Sequence, residues 1–191
     1  MRLLIATIAI CCLASGCGEA PFWDQGSGGG ADLSRGDPRF IADCNGGPLD
    51  APIANCRPEP LPSSGNPYAD CVTRINQLRW ECQCLPSLER WDAAEDCADQ
   101  HAEYDSSRSA HAGFRDDICA PRGWAQNECP GWRSTEQVVA GCLQAMWDEG
   151  PGEPYVEHGH YINMTNPAYT KVACGFYETT GGSVWSVQNF Q

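Results

Sequence analysis

A chain of 191 residues carrying 25 acidic against 12 basic side chains, with a formal net charge of −13, offers no basic surface for nucleic acid or for an anionic lipid face. Its 13 cysteines point to an oxidising compartment, because free thiols in such number are unwelcome outside the cell. After the leader, no apolar run approaches the roughly twenty residues needed to span a bilayer.

Residues 1–16 read as a signal peptide. Arg2 supplies the positive start, and Leu3 to Leu13 form an apolar run too short for a membrane span. Leu13-Ala14-Ser15-Gly16-Cys17 resembles the lipobox of bacterial lipoproteins, which would make Cys17 a lipidated first residue and the protein lipid-anchored at the cell envelope or surface. The alternative is an ordinary secretory peptide with Cys17 a spare thiol. Removing Cys11 and Cys12 with the leader and Cys17 to lipid leaves Cys44, Cys56, Cys71, Cys82, Cys84, Cys97, Cys119, Cys129, Cys142 and Cys174. Ten is even, as a fully oxidised framework requires, and the pairing stays open. Cys82-Gln83-Cys84 is not followed by paired zinc knuckles, so disulfides are preferred to a zinc cluster.

Residues 17–66 read as a tether. Gln25-Gly26-Ser27-Gly28-Gly29-Gly30 is flexible in composition, and residues 40–66 are an irregular proline-rich lead-in around Cys44 and Cys56 that could be closed by its own disulfide. One domain then occupies 67–191. Tyr68 to Cys82 reads as a helix with Val72, Ile75 and Leu78 on one face. After the break at Leu85-Pro86, Ser87 is a candidate cap for a second helix through Trp91, Ala94 and Cys97 towards His101, which is expected to be solvated. Ser134 or Thr135 caps a third, with Val138, Val139, Cys142 and Met146 inward and Gly150-Pro151-Gly152 as its end. His160–Met164, Lys171–Tyr177 and Val184–Val187 read as strands, the last after a Gly181-Gly182 turn. Helices first and strands later predict an α+β fold.

The residues with chemistry are few. Glu157-His158-Gly159-His160-Tyr161 places a histidine between Gly and Tyr, eleven residues after Glu149. If the run is a strand, His158 and His160 share a face and could form a two-histidine clip. His111 lies far upstream. Imidazoles and carboxylates drawn from separate elements are what a divalent metal such as zinc needs. Glu149 at a helix end opposes the macrodipole, which hints at another use. No Gly-x-Ser-x-Gly elbow or phosphate loop is present, and Ser107 and Ser109 beside His111 are no triad by proximity alone. Asn163-Met164-Thr165 fits a glycosylation sequon but is discounted beside a lipobox. Most of the tryptophans are expected in the core, with one or two lining a cleft.

Several fragments in order resemble the CAP superfamily (cysteine-rich secretory proteins, antigen 5 and pathogenesis-related proteins) over Tyr68 to Phe190: Asn76 and Arg79, Leu85-Pro86 and Leu88 before Trp91-Asp92, the His111 segment, Glu149, Gly159-His160-Tyr161, Cys174-Gly175-Phe176-Tyr177 and Trp185. The resemblance implies a disulfide-stabilised α-β-α sandwich with a central antiparallel sheet. It also implies an open cleft holding two histidines and two acids, found with metal in some members, and others that bind sterols or fatty acids. Matched residue by residue, the histidines are His111 and His160 and one acid is Glu149, although Met146 stands where a tryptophan is expected. The second acid would lie in a Gly-Glu-Asn stretch. Here the match is Ala125-Gln126-Asn127, so a neutral Gln126 replaces it. Glu128 lies two residues on and faces the same way in an extended segment.

The favoured reading is an extracytoplasmic, lipid-anchored binding module whose metal-competent cleft takes a small apolar ligand, a peptide or an envelope component. The membrane is met only through Cys17, and nucleic acid is no partner. A metal-assisted hydrolase is the alternative, with His111, His160 and Glu149 holding zinc and Glu128 or Glu149 taking a proton from bound water. A third is a durable surface domain with a vestigial cleft.

Overall fold

The computed structural model describes residues 44–191. The expected signal peptide, the lipidation at Cys17 and the glycine-rich tether lie outside the described residues.

Helix α1, Pro67–Gln83, begins where Asn66 caps it, its side chain accepting from the amides of Tyr68 and Ala69, with Pro67 in the first turn. Cys71, Val72, Ile75, Leu78 and Cys82 are its buried stripe, and Cys84 ends it in the left-handed conformation. Two buried polar residues of α1 then fold the chain back. Asn76 donates to Leu88 O and accepts from Leu88 N at 2.9 and 2.8 Å. Arg79 donates to the carbonyls of Pro86 and Met164, and burial pushes its guanidinium down to about 10.

Ser87 caps no helix. Leu88–Trp91 is instead drawn out along the sheet, with the amides of Glu89 and Trp91 donating to Thr170 O and Val172 O, as the short strand β1, Glu89–Arg90. A 3₁₀ turn over Asp92–Ala94 leads into α2, Glu95–Ser106, and a short α3 follows over Ala112–Asp116. Strand β2 spans Ala125–Trp132. The next helix starts as α4, Thr135–Gln137, capped by Ser134, widens to π over Val138–Cys142, and ends as α5, Leu143–Asp148. After α6, Tyr155–Thr165, strands β3, Lys171–Glu178, and β4, Val184–Phe190, close the chain.

The sheet order is β1-β3-β4-β2. All pairs are antiparallel as expected except the two-residue edge strand β1, which runs parallel to β3. Alternation along the strands sorts side chains to two faces. Val172, Cys174, Val184 and Phe190 meet α1, α5 and α6, whereas Ala173 and Val187 meet the Ala94, Ala98 and Ala102 stripe of α2. Gly175 is required here, because a Cβ would stand 2.2 Å from the backbone of Ala98. The result is the expected α-β-α sandwich.

The ten cysteines form five disulfides: Cys44–Cys84, Cys56–Cys82, Cys71–Cys174, Cys97–Cys119 and Cys129–Cys142. Cys71–Cys174 joins α1 to β3 across 103 residues, a closure for which chain entropy alone gives about 4–5 kcal/mol. The lead-in is irregular as expected, but its cysteines pair with α1 and its end rather than with each other. A fragment starting at residue 67 would therefore leave Cys82 and Cys84 without partners.

The run His160–Met164 is not a strand; it is part of α6. Its buried residues Tyr161 and Met164 are spaced by three, the helical step, and Tyr161 sets its ring edge-on to Trp147 at 5.1 Å. Packing of this face overrides the β-like local composition.

Candidate functional site

Strand β2 lies at a sheet edge, and three consecutive residues of it organise the candidate site. Gln126 and Glu128 project towards α2 and α3. Between them Asn127 projects towards α5 and α6, donating to His160 O at 3.0 Å and accepting from Asn163 at 2.9 Å.

On the first side, His111 starts α3 in the left-handed conformation, φ 62°. Its amide donates to Glu128 Oε2 at 2.7 Å and its Nδ1 meets Gln126 Oε1 at 2.8 Å. The loop is held from behind by Asp105, which accepts from Gly113 N at 2.6 Å, and by Arg115, which donates to Ala110 O and Ser109 Oγ. Gly113 must lack a side chain, since a Cβ would press on His101 Cδ2 at 2.9 Å. Glu128 is almost wholly enclosed, its side chain 1% exposed. Burial pushes its carboxyl up to about 7 against the opposing effect of the His111 amide, and Oε1 has no partner. Glu128 therefore anchors the loop and does not face open solvent as a ligand.

On the second side, His160 lies in α6 and Glu149 directly follows α5. His160 Nδ1 meets Glu149 Oε1 at 2.5 Å, and the His160 amide donates to Glu149 Oε2 at 3.1 Å. Both carboxylate oxygens are thus engaged by one residue, and Glu149 orients the imidazole.

His158 does not share a face with His160, because residues two apart on a helix point apart. Its Nδ1 meets the carbonyls of Glu149 and Gly150, which closes the end of α5. His101 is not solvated but fully buried. Its Nδ1 meets Gln126 Nε2 at 3.1 Å and Asn189 Nδ2 at 3.3 Å, and burial lowers its basicity. Sequence reading missed this residue, though Ala94, Ala98, His101, Ala102 and Asp105 form one helical stripe that could have placed it inward. Ser107 Oγ donates to Tyr104 O and Ser109 Oγ accepts from Arg115, so neither of these hydrogen bonds runs to His111. Trp80 and Trp147 are buried, whereas Trp124 is largely exposed over Tyr169.

Among the described residues, one group of three His, Cys, Asp or Glu side chains brings its donor atoms within 4.8 Å of one another: Cys97, His101 and Cys119. Such a set can hold a metal, but its sulfurs are joined in a disulfide, and a metal ligand must be a thiolate. His111 is joined to Gln126 and Glu128, and His160 to Glu149.

Residues 72–190 match the family model described as CAP, the cysteine-rich secretory protein family. The chain belongs to the CAP family. Comparison with curated proteins finds no match. Within the CAP domain, the fragments that resemble the family acquire physical roles here: Asn76 and Arg79 fold back the chain after α1, Gly175 admits α2, and Cys174 carries the long-range disulfide. The family together with five disulfides marks the protein as extracellular. No described helix is long and apolar enough to cross a membrane.

Proposed function

We propose that the protein is a lipid-anchored, extracytoplasmic CAP-domain binding module whose cleft holds a divalent cation through His111 and His160. The observation that carries this reading is that each histidine has its Nδ1 engaged by a protein acceptor, Gln126 for His111 and Glu149 for His160. An imidazole tied at Nδ1 offers Nε2 to a metal, and such outer partners orient ligands and raise their basicity. Both rings are partly exposed, at 38% and 35% of the side chain. Two imidazoles suit zinc and leave further positions for a ligand or water.

The binding reading is favoured over hydrolysis by the state of the two acids. Glu149 uses both oxygens on His160, and Glu128 is enclosed beneath the His111 loop, so neither is free to take a proton from a bound water. The apolar class of ligand is supported at a second place, a concavity of about 250 Å³ between the lead-in, α1 and the α4–π helix, walled by Pro60, Leu61, Pro62, Val139 and Ala140. The lipid on Cys17 rests on the lipobox-like sequence, and the acidic net charge disfavours nucleic acid as a partner.

The test is thermal unfolding of the oxidised, secreted chain with zinc chloride, uncharged lipids and a peptide library. A ligand that binds only the folded state raises Tm, by an amount that grows with the logarithm of its concentration above Kd. A rise with zinc and with at least one organic class, without turnover, is expected. Zinc-dependent peptide cleavage lost in His160→Ala would replace this reading with the hydrolase, and no rise with any probe would contradict it.

A further inference from the structure

An amide side chain has one end that accepts and one that donates, and Gln126 stands between two histidines. It is buried with His101 and Asn189. Its Nε2 donates to Asn189 Oδ1 at 3.1 Å and lies 3.1 Å from His101 Nδ1. Asn189 Nδ2 also reaches His101 Nδ1, at 3.3 Å. Turning the Gln126 amide alone would set its oxygen against Asn189 Oδ1, so the two amides can only turn together, and the disulfide sulfur of Cys97 facing His101 Nε2 favours the arrangement in which that nitrogen carries the proton. Its oxygen is thereby left to face His111 Nδ1 at 2.8 Å.

We propose that Gln126 is a positioning residue that locks the two histidines in opposite tautomers. His101, met by two amide donors, keeps Nδ1 bare and carries its proton on Nε2, which points at the Cys97 sulfur 3.9 Å away. His111, facing an amide oxygen, carries its proton on Nδ1 and presents a bare Nε2. A glutamate at position 126 could accept from both rings but donate to neither, and would impose no such opposition. The neutral residue at this position is thus a device that makes His111 a lone-pair donor without placing a second buried charge beside Glu128. The consequence for metal rests on the binding reading above; the tautomers themselves do not.

The experiment is long-range ¹H–¹⁵N correlation of the histidine rings in the metal-free, oxidised protein at about pH 8, above the ordinary imidazole range, with assignment by His111→Ala, His158→Ala and His160→Ala, which leaves His101 as the fourth ring. The wild-type spectrum should show His111 protonated at Nδ1 and His101 at Nε2, and this needs no further variant to fold. In Gln126→Leu the opposition should be lost: His111 keeps only Glu128 Oε2, 3.7 Å from its Nδ1 and beyond hydrogen-bond reach, and moves towards the Nε2-protonated form. Zinc affinity should then fall about 10–100-fold, as for other outer-sphere losses. His111 protonated at Nε2 or His101 at Nδ1 in the wild type would overturn the proposal, as would an unchanged His111 tautomer in Gln126→Leu. The expected tautomers in a protein that binds no zinc would uphold the lock and reject the metal reading alone.

Discussion

The two halves of the candidate site hold their imidazoles in the same way with acceptors of different charge. His160 rests on the Glu149 carboxylate, which also takes the His160 amide. His111 rests on the neutral Gln126 amide, while Glu128 Oε2 takes the His111 backbone amide and stands 3.7 Å from Nδ1, beyond hydrogen-bond reach. One half is a charged pair with partial solvent access, the other a neutral relay backed by a buried network reaching His101 and Asn189. The comparison teaches that orienting a ring needs only an acceptor at Nδ1, whereas a charged acceptor adds more to its basicity than a neutral one. A site built from one half of each kind is less anionic than one built from two carboxylates.

The largest break in this comparison comes from removing a ring. Either His111→Ala or His160→Ala should take zinc binding below detection in a competition assay with a colorimetric chelator, since each half contributes one bare nitrogen. Glu149→Gln should weaken zinc about 10–100-fold, because it converts the charged half into a copy of the neutral one. Gln126→Glu does the reverse and should strengthen zinc about tenfold. It should also lower stability by about 1–3 kcal/mol in urea unfolding, because Asn189 Oδ1 loses its donor, His101 Nδ1 loses one of its two, and a second carboxylate is buried.

The remaining prediction concerns pH dependence and touches only the His111 half. The folded-state carboxyl of Glu128 lies at about 7 against an ordinary 4.5, so between these values the folded protein binds more protons than the unfolded one. Stability is fully present below about pH 4.5 and is lost as pH rises through about 7, by up to roughly 3 kcal/mol from this group. In Glu128→Gln that slope should flatten while the His111 amide keeps an acceptor; an unchanged slope would show that Glu128 is not the group responsible.

Much of the scaffold was legible in the residues themselves. Val72, Ile75 and Leu78 mark α1, Ser134 marks the start of the third long helix, and the runs from Lys171 and Val184 mark β3 and β4. Gln126 and Glu128 were correctly expected to share a face. The α6 helix was not legible, because His160-Tyr161-Ile162 has strand-like composition and Gly159 reads as a break. Only packing against Trp147 and the fit of Tyr155 over Gly159, whose Cβ position lies 3.1 Å from that ring, make the helix pay. The start of α2 was misplaced because the pairing of Leu88–Trp91 depends on residues some eighty positions later. Glu149 was expected as a ligand, and its place beyond a helix end did signal a special role. That the role is to hold His160 follows from α6 turning back over α5, which no local pattern announces.

Isothermal titration of zinc into the oxidised, secreted chain, beside His111→Ala and His160→Ala, tests the central claim most directly. One zinc per chain, lost in both variants, is the predicted result. No heat in the wild type, or binding that survives both substitutions, would contradict the claim that these two rings form one metal-competent site.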